Sequence, residues 1–381
     1  MSDELFKKAG NIIIKAGMLP FPVTDTLIEI LRILYTPEEA EFITKTYRRK
    51  VSQTIDELKK NSKIDNEQQI LTIIEPLVKK GAIFKSKSST GLTVYRLLPP
   101  IFVGIFEYYL MKKIKYTDEE KKVAVLFKKL FDEIRDIVQD KYDMFLPAFS
   151  AVPPVDRTVP ILKNFEGKEI IIEINQEIET PGEIILPKQD INEIIKSFDD
   201  IAVGYCFCRQ HHDLLGDPCK FDAPREICFT LGKSARFTSE NGFSRLISQE
   251  EALKLIDDAA SAGLVHKVYH PQGNISKDET SICNCCKDCC GTFELWREGT
   301  MPMINSTNYL SKIDQELCVG CGTCMEKCPV DAIEGNDYNK AEVNVDLCIG
   351  CGVCAHFCPE NAISLLESPR KVFVPPPRIK N

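Results

Sequence analysis

Two cysteine runs near the C-terminal end carry the most specific chemistry in this sequence. Cys318-Val-Gly-Cys321-Gly-Thr-Cys324-Met-Glu-Lys-Cys328-Pro329 is echoed thirty residues on by Cys348-Ile-Gly-Cys351-Gly-Val-Cys354-Ala-His-Phe-Cys358-Pro359. Both read C-x2-C-x2-C-x3-C-P. Three thiolates in a tight, glycine-bearing loop can each take one iron of a cubane, and the fourth lies past a turn. Proline then ends the run, because its fixed φ and missing N–H suit a helix start. The flanks repeat as well: Cys-Pro-Val-Asp-Ala332-Ile333 matches Cys-Pro-Glu-Asn-Ala362-Ile363, which marks an internal duplication. Zinc sites rarely crowd four cysteines so closely, so iron–sulfur chemistry is the stronger reading.

This spacing is that of bacterial two-cluster ferredoxins, and the duplicated unit resembles the ferredoxin fold. The resemblance implies that the fourth cysteine of each run serves the other cluster. Cys318, Cys321, Cys324 and Cys358 are thereby assigned to one [4Fe-4S] cluster, and Cys328, Cys348, Cys351 and Cys354 to the other.

Nine further cysteines lie in two central blocks: Cys206, Cys208, Cys219 and Cys228, then Cys283, Cys285, Cys286, Cys289 and Cys290. Such close spacing exceeds what a core needs and points to soft-metal ligands. A third [4Fe-4S] cluster is the first expectation and a structural four-thiolate zinc site the second. Cys206, Cys208, Cys219 and Cys228 could complete one site, and the second block could supply another or share ligands with it. Arg209, His211 and His212 flank the first block, where a histidine could ligate or gate protons and an arginine could offset cluster charge. A reading of these three as ordinary polar loop residues stands beside that one.

The elements that position these residues follow from periodicity and caps. Helices are predicted over 24–35, from Thr36-Pro37 onward, over 52–60 and over 65–80 with Asp65 as cap. Two strands, 82–85 and 92–96, close a hairpin. Three helices before a hairpin make a winged-helix pattern, whose functional reading is DNA binding through 65–80 and a basic wing of Lys79, Lys80, Lys85, Lys87 and Arg96. The first half of that helix, Asp65-Asn-Glu-Gln-Gln-Ile70, lacks Arg and Lys, which favours a docking or scaffold role. Residues 117–141 form an amphipathic helix. A proline-rich connector at 147–160, a strand at 169–174 and a helix over 187–198 lead to the first cysteine block. Between the blocks stand a strand (227–231), a helix (248–262) stopped by Gly263, and a strand (264–269).

The expected fold is α+β and multidomain: a winged-helix-like helical part (1–115), a cysteine-rich α/β part (116–305), a two-cluster ferredoxin-like part (306–368) and a Pro-rich tail (369–381). At 381 residues with 44% hydrophobic content, the chain has room for several cores and is not a disordered tail. The longest apolar stretch, 97–111, contains Pro99, Pro100 and Glu107 and falls short of a membrane span. No signal peptide is legible, so the expectation is a cytoplasmic chain. Seventeen cysteines there mean metal rather than disulfides, and oxygen-sensitive clusters suggest an anaerobic host. The net charge of −8 divides into +6 over residues 1–115 and −14 over the rest, an acidic redox half suited to basic partners. No G-x-G-x-x-G after a strand and no P-loop is present, so nucleotide, nicotinamide and flavin binding are not indicated.

The succession Tyr-Cys206-Phe-Cys208-Arg, Leu-Leu-Gly-Asp-Pro-Cys219, Glu-Ile-Cys228-Phe, Ala-Gly-Leu-Val-His266 and Cys283-Asn-Cys285-Cys286, followed by the double motif, resembles a family of ferredoxin-fused proteins of anaerobes. The early Tyr-Thr-Pro37-Glu-Glu-Ala also fits it. In that family the second block is commonly Cys-Asn-Cys-Cys-Gly-Cys-Cys-Cys, and Lys287 and Asp288 depart from it here. The resemblance implies iron–sulfur electron transfer and supplies no substrate. The leading expectation is therefore an electron-transfer protein or subunit that exchanges electrons with a partner oxidoreductase through the central metal site. A redox-responsive DNA-binding regulator and an oxidoreductase with an open-site central cluster are the alternatives.

Overall fold

The computed structural model describes residues 2–19, 21–88, 90–154, 156–174, 188–271 and 277–379. It is a mixed α+β chain that divides into two compact units. Among the described residues no helix is long and apolar enough to cross a membrane.

The first unit comprises Met1–Ile137, Gly204–Pro218 and Arg236–Arg245. Its caps follow the sequence closely. Thr24 Oγ accepts from Leu27 N, and Thr36 and Glu39 close a capping box at the start of Pro37–Thr46. A second box, Thr54 with Glu57, starts the helix Ile55–Ser62. The helix Glu67–Lys79 is capped by Asn66, whose Oδ1 accepts from Gln69 N at 3.3 Å, one residue later than the sequence suggested. The hairpin Ile83–Lys87 and Thr93–Leu97 forms as expected, and a short strand, Ser52–Thr54, adds to its outer side. The predicted amphipathic helix runs Asp118–Asp140 and buries Val123, Leu126, Phe127, Leu130 and Ile134.

The helices Ser2–Ala16 and Ile105–Met111 were not legible. The latter follows a turn with Phe102 and Val103 at positive φ, and only Gly104 fits there, since a Cβ would meet Pro99 O at 2.0 Å. The helix Phe207–Leu215 packs on it, and the Gln210 amide joins the two by accepting from Ile114 N at 3.1 Å and donating to Lys112 O at 2.7 Å.

The second unit comprises Val138–Val203, Cys219–Ala235 and Leu246–Asn381. It is built on a nine-stranded mixed sheet in the order Ile172–Glu173, Ile363–Val374, Met303–Ile313, Asp156–Val159, Val265–Tyr269, Ser281–Cys285, Glu226–Leu231, Ile201–Tyr205 and Arg245–Ile247. The predicted strand over 169–174 is thus reduced to Ile172–Glu173 plus a bridge at Glu169, and the predicted helix over 187–198 to Ile191–Lys196, with Pro187 outside the described residues.

Strand alternation divides this sheet's chemistry. Val268, Ile282 and Phe229 face a core with Ile191, Ile194 and Ile195 of one helix and Ala252 and Ile256 of another. Val265 and Cys285, of opposite parity, enter the core of the ferredoxin-like segment with Phe293, Val330 and Ile349. One face of the sheet is therefore an ordinary aliphatic layer and the other is lined with sulfur.

Candidate metal centres

The two cysteine runs fold as two short helices, Thr323–Lys327 and Val353–His356, carried beside the long antiparallel pair Met303–Ile313 and Ile363–Val374. Each repeat begins where the other ends. Asp314 N, before the first run, donates to Ala362 O at 2.9 Å, after the second. Asn344 N, before the second run, donates to Ala332 O at 2.8 Å, after the first. This interlock places the last cysteine of each run with the first three of the other. One cavity is lined by Cys318, Cys321, Cys324 and Cys358. Another is lined by Cys328, Cys348, Cys351 and Cys354.

Equivalent contacts support both cavities. Ala332 N donates to Cys328 Sγ at 3.2 Å, and Ala362 N donates to Cys358 Sγ at 3.3 Å. Ser311 Oγ lies 3.2 Å from Cys354 Sγ. The loop glycines are obligatory where the backbone closes in: Gly350 has φ +61°, and a Cβ there would stand 2.0 Å from Tyr309 O.

Burial pushes the Cys324 thiol up to about 11, and the nearby Cys318, Cys321 and Cys358 add to it. Cys351 is raised well above the ordinary thiol range by burial and then by Cys354 and Cys328. Such pockets disfavour bare thiolates and suit a ligand that brings its own positive charge.

The nine central cysteines sort differently. Cys206 and Cys208 belong to the first unit, at the start of the helix Phe207–Leu215. The Cys208 hydrogen bond, aided by Arg209, lowers Cys206 to about 7 despite its burial. Cys228 is buried on the strand Glu226–Leu231, one residue before Phe229, which pairs with Ile282.

The remaining six gather around the turn at 285–290. Cys219, Cys286 and Cys289 bring their sulfurs within 4.8 Å of one another, the only such group of three metal-ligating side chains among the described residues. Cys219 and Cys286 are 3.6 Å apart, Cys286 and Cys289 3.3 Å, and Cys289 N also donates to Cys286 Sγ at 3.3 Å. Hydrogen bonds from Cys219 and then Cys289 draw Cys286 down to about 4.

Lys287 and Asp288, between Cys286 and Cys289, hold this turn in place. Asp288 Oδ2 accepts from Lys220 N at 2.9 Å, which draws the segment of Cys219 to the turn. Lys287 Nζ donates to Glu326 O at 3.3 Å and pairs with Asp331 at 2.7 Å, both in the first ferredoxin-like repeat.

Cys283, Cys285 and Cys290 form a second group, with Cys285 hydrogen-bonded to the other two. Facing them is Lys267, wholly buried, paired with the equally buried Asp156 at 2.7 Å and lying over the Phe293 ring. Burial alone would lower Lys267, yet Asp156, Cys285 and Cys290 outweigh it and raise the pKa. Sequence reasoning missed this pair. The available signal was a lysine in an otherwise apolar strand, Leu264-Val265-His266-Lys267-Val268.

The histidines are engaged in the fold. His211 Nε2 meets Ala124 O at 2.9 Å among Phe106 and Phe131. His266 Nδ1 meets Asn284 Oδ1 at 2.7 Å, and burial lowers its pKa to about 4. His356 contacts Lys163 O, His270 contacts Lys277 O, and His212 lies 3.8 Å from Asp217.

The family comparison falls on the segment that holds both tetrads. Residues 311–365 match the 4Fe-4S dicluster domain family. Over 60 residues, 16% of this chain, the sequence is 33% identical to Protein Pixie of Drosophila melanogaster. Over 61 residues, again 16%, it is 33% identical to ABC transporter E family member 1 of Arabidopsis thaliana. The match spans 10% of the length of each of these relatives. No solved structure matches the chain.

Proposed function

We propose that this chain is an iron–sulfur electron-transfer protein or subunit that passes single electrons between a partner oxidoreductase and two ferredoxin-type [4Fe-4S] clusters, with a further metal site among its central cysteines. The observation that carries the reading is the sorting of eight cysteines into two tetrads, each around its own cavity, inside the segment that matches a dicluster domain. Cys318, Cys321, Cys324 and Cys358 would hold one cluster, and Cys328, Cys348, Cys351 and Cys354 the other. When bound, the clusters supply one-electron chemistry at potentials set by charge, burial and hydrogen bonds to sulfur.

The chain's own residues set those terms. Val330, Ile333, Ile349 and Ala362 wall the cavities off from water, and the Ala332 and Ala362 amides donate to ligand sulfurs, which stabilises added negative charge. Cys321 is the one exposed cysteine, and Leu317 and Val319 beside it are exposed too, so this face is where a redox partner would approach. Iron quantification under anaerobic conditions with EPR of the reduced protein tests the proposal. Fewer than about eight irons per chain after full reconstitution would sink it, since each cubane carries four.

A second reading has one observation in its favour. The order helix, short strand, two helices and hairpin over residues 37–97, with Ser52–Thr54 paired to Thr93–Leu97, supports a reading of this part as a winged helix that reports cluster state to DNA. Against it, Lys80 is held by Glu39 and Lys85 by Glu75, which withdraws two of the basic residues a wing would use. Salt-dependent binding to genomic fragments that changes with cluster oxidation would support it; no binding in either state would exclude it.

A further inference from the structure

The sulfurs of Cys219, Cys286 and Cys289 are spaced for a different occupant than the two tetrads. A tetrahedral ion with metal–sulfur bonds near 2.3 Å sets its ligand sulfurs about 3.8 Å apart. The separations of 3.6 and 3.3 Å, with all three sulfurs inside 4.8 Å, match that size with slight contraction. A cubane cannot accept such spacing. It binds each thiolate at a different iron, one bond outward from a separate corner, so its ligand sulfurs stand much further apart. The same chain provides the comparison: none of the eight ferredoxin-type cysteines joins a group of three sulfurs within 4.8 Å.

We propose that Cys219, Cys286 and Cys289 bind a single soft cation in tetrahedral thiolate coordination, with zinc the expected occupant and the fourth position left to a ligand outside the trio. This deepens the central-site part of the proposed function. Three structural features prepare the site. Cys286 and Cys289 are the ends of a C-x2-C knuckle whose own amide, Cys289 N, donates to Cys286 Sγ. Asp288 inside the knuckle captures Lys220 and so delivers Cys219 from 67 residues away. Lys287, also inside it, is fastened to Glu326 O and Asp331. Glu326 lies on the short helix between Cys324 and Cys328.

The ion would therefore lock a brace against the ferredoxin-like segment. Zinc has no redox couple at such a site, so electrons would not pass through it. The assignment makes the central site a support for the two-cluster module and not its other terminal.

The test uses the full chain purified anaerobically from medium containing both iron and zinc. The expected content is about eight irons and a single zinc, with zinc-edge X-ray absorption showing sulfur neighbours at about 2.3 Å and no metal–metal vector. C286A and C289A should each lose the zinc and keep the irons and the two-cluster EPR signal. Should either variant fold poorly, a thiol-reactive mercurial titrated into the unaltered protein should release the zinc before the iron. A ninth iron that appears in zinc-free medium and is lost in C286A supports the same site. About twelve irons per chain would overturn the proposal in favour of a third cubane, and so would zinc that persists undiminished in C219A, C286A and C289A. Full iron with no additional metal under either condition overturns it as well. A shortfall below eight irons with zinc present instead counts against the two-cluster reading, so the two failures are distinguishable.

Discussion

Cys358 gives the sharpest test of how the repeats share their ligands. It ends the second run, thirty residues from its counterpart Cys328, yet it lines the cavity of Cys318, Cys321 and Cys324. C358A should therefore remove a ligand from that site alone and leave Cys328, Cys348, Cys351 and Cys354 intact. With four irons per cubane, content falls from about eight to about four after a chelator wash that strips incompletely ligated iron. C321A should do the same. The decisive measurements are the double variants. C321A/C358A takes both ligands from one cavity, so it keeps about four irons and the EPR signal of one undisturbed cluster. C351A/C358A takes one ligand from each cavity, so no complete tetrad and no undisturbed signal remain. The reverse pattern, with C351A/C358A preserving an intact cluster and C321A/C358A preserving none, would refute the interlock argued from the Asp314–Ala362 and Asn344–Ala332 hydrogen bonds.

Three further outcomes are expected. G350A forces a Cβ into Tyr309 O at a left-handed position and should destabilise the fold by roughly 2–5 kcal/mol; G322A, also at positive φ but with only the Met325 methyl nearby at 3.6 Å, should shift the melting temperature much less. K267M leaves Asp156 buried without its cation and should cost roughly 3–5 kcal/mol, whereas K267M/D156L should recover most of it in thermal unfolding. His266 has its folded pKa lowered to about 4 by burial, so the unfolded chain takes up its proton first as pH falls. Stability should thus drop between about pH 6.5 and pH 4, by about 3 kcal/mol at the lower end, and H266Q should flatten that slope in denaturant titrations.

Legibility in the sequence followed the distance between partners. The ferredoxin-like segment could be read because three of the four cysteines of each tetrad lie within a few residues of one another, the two runs repeat one spacing, and their glycines and prolines mark the turns. The helix capped by Thr36 was legible for the same reason, whereas the helix expected over 52–60 begins only at Ile55, behind a Thr54 cap that the periodicity did not mark. The three-residue strand Ser52–Thr54 was not legible, since it is defined only by pairing with residues some forty positions away. Nor was the helix Ile105–Met111, because Pro99 and Pro100 suggest a loop and its start depends on a turn closed by Gly104. The central cysteines failed as a sequence problem on the same ground. Cys219 meets Cys286 and Cys289 through Asp288 and Lys220, a tertiary contact that no spacing encodes. Lys287 and Asp288, which look like interruptions of a cysteine pattern, are the residues that fix the turn on both sides.

The thiols themselves differ in a way that tracks these arrangements. At four of the eight tetrad thiols, Cys324, Cys328, Cys351 and Cys354, burial dominates and holds them above the ordinary thiol range, whereas exposed Cys321 is drawn down by Thr323. A cavity of that kind gains from occupation by cationic iron, because ligation replaces an unfavourable buried thiolate with a neutralised one. At the knuckle the balance is reversed: Cys286 is held low by thiol donors at contact distance, so the site is already polarised for a cation before one arrives. Between them Lys267 contributes a fixed positive charge beside Cys285 and Cys290, sealed by Asp156 and Phe293. That charge lies on the sulfur-lined face of the sheet, where burial leaves little water to screen it. Asp156, at 2.7 Å, offsets it over longer distances, so it acts chiefly on the sulfurs beside it, Cys285 and Cys290, which themselves belong to the ferredoxin-like core.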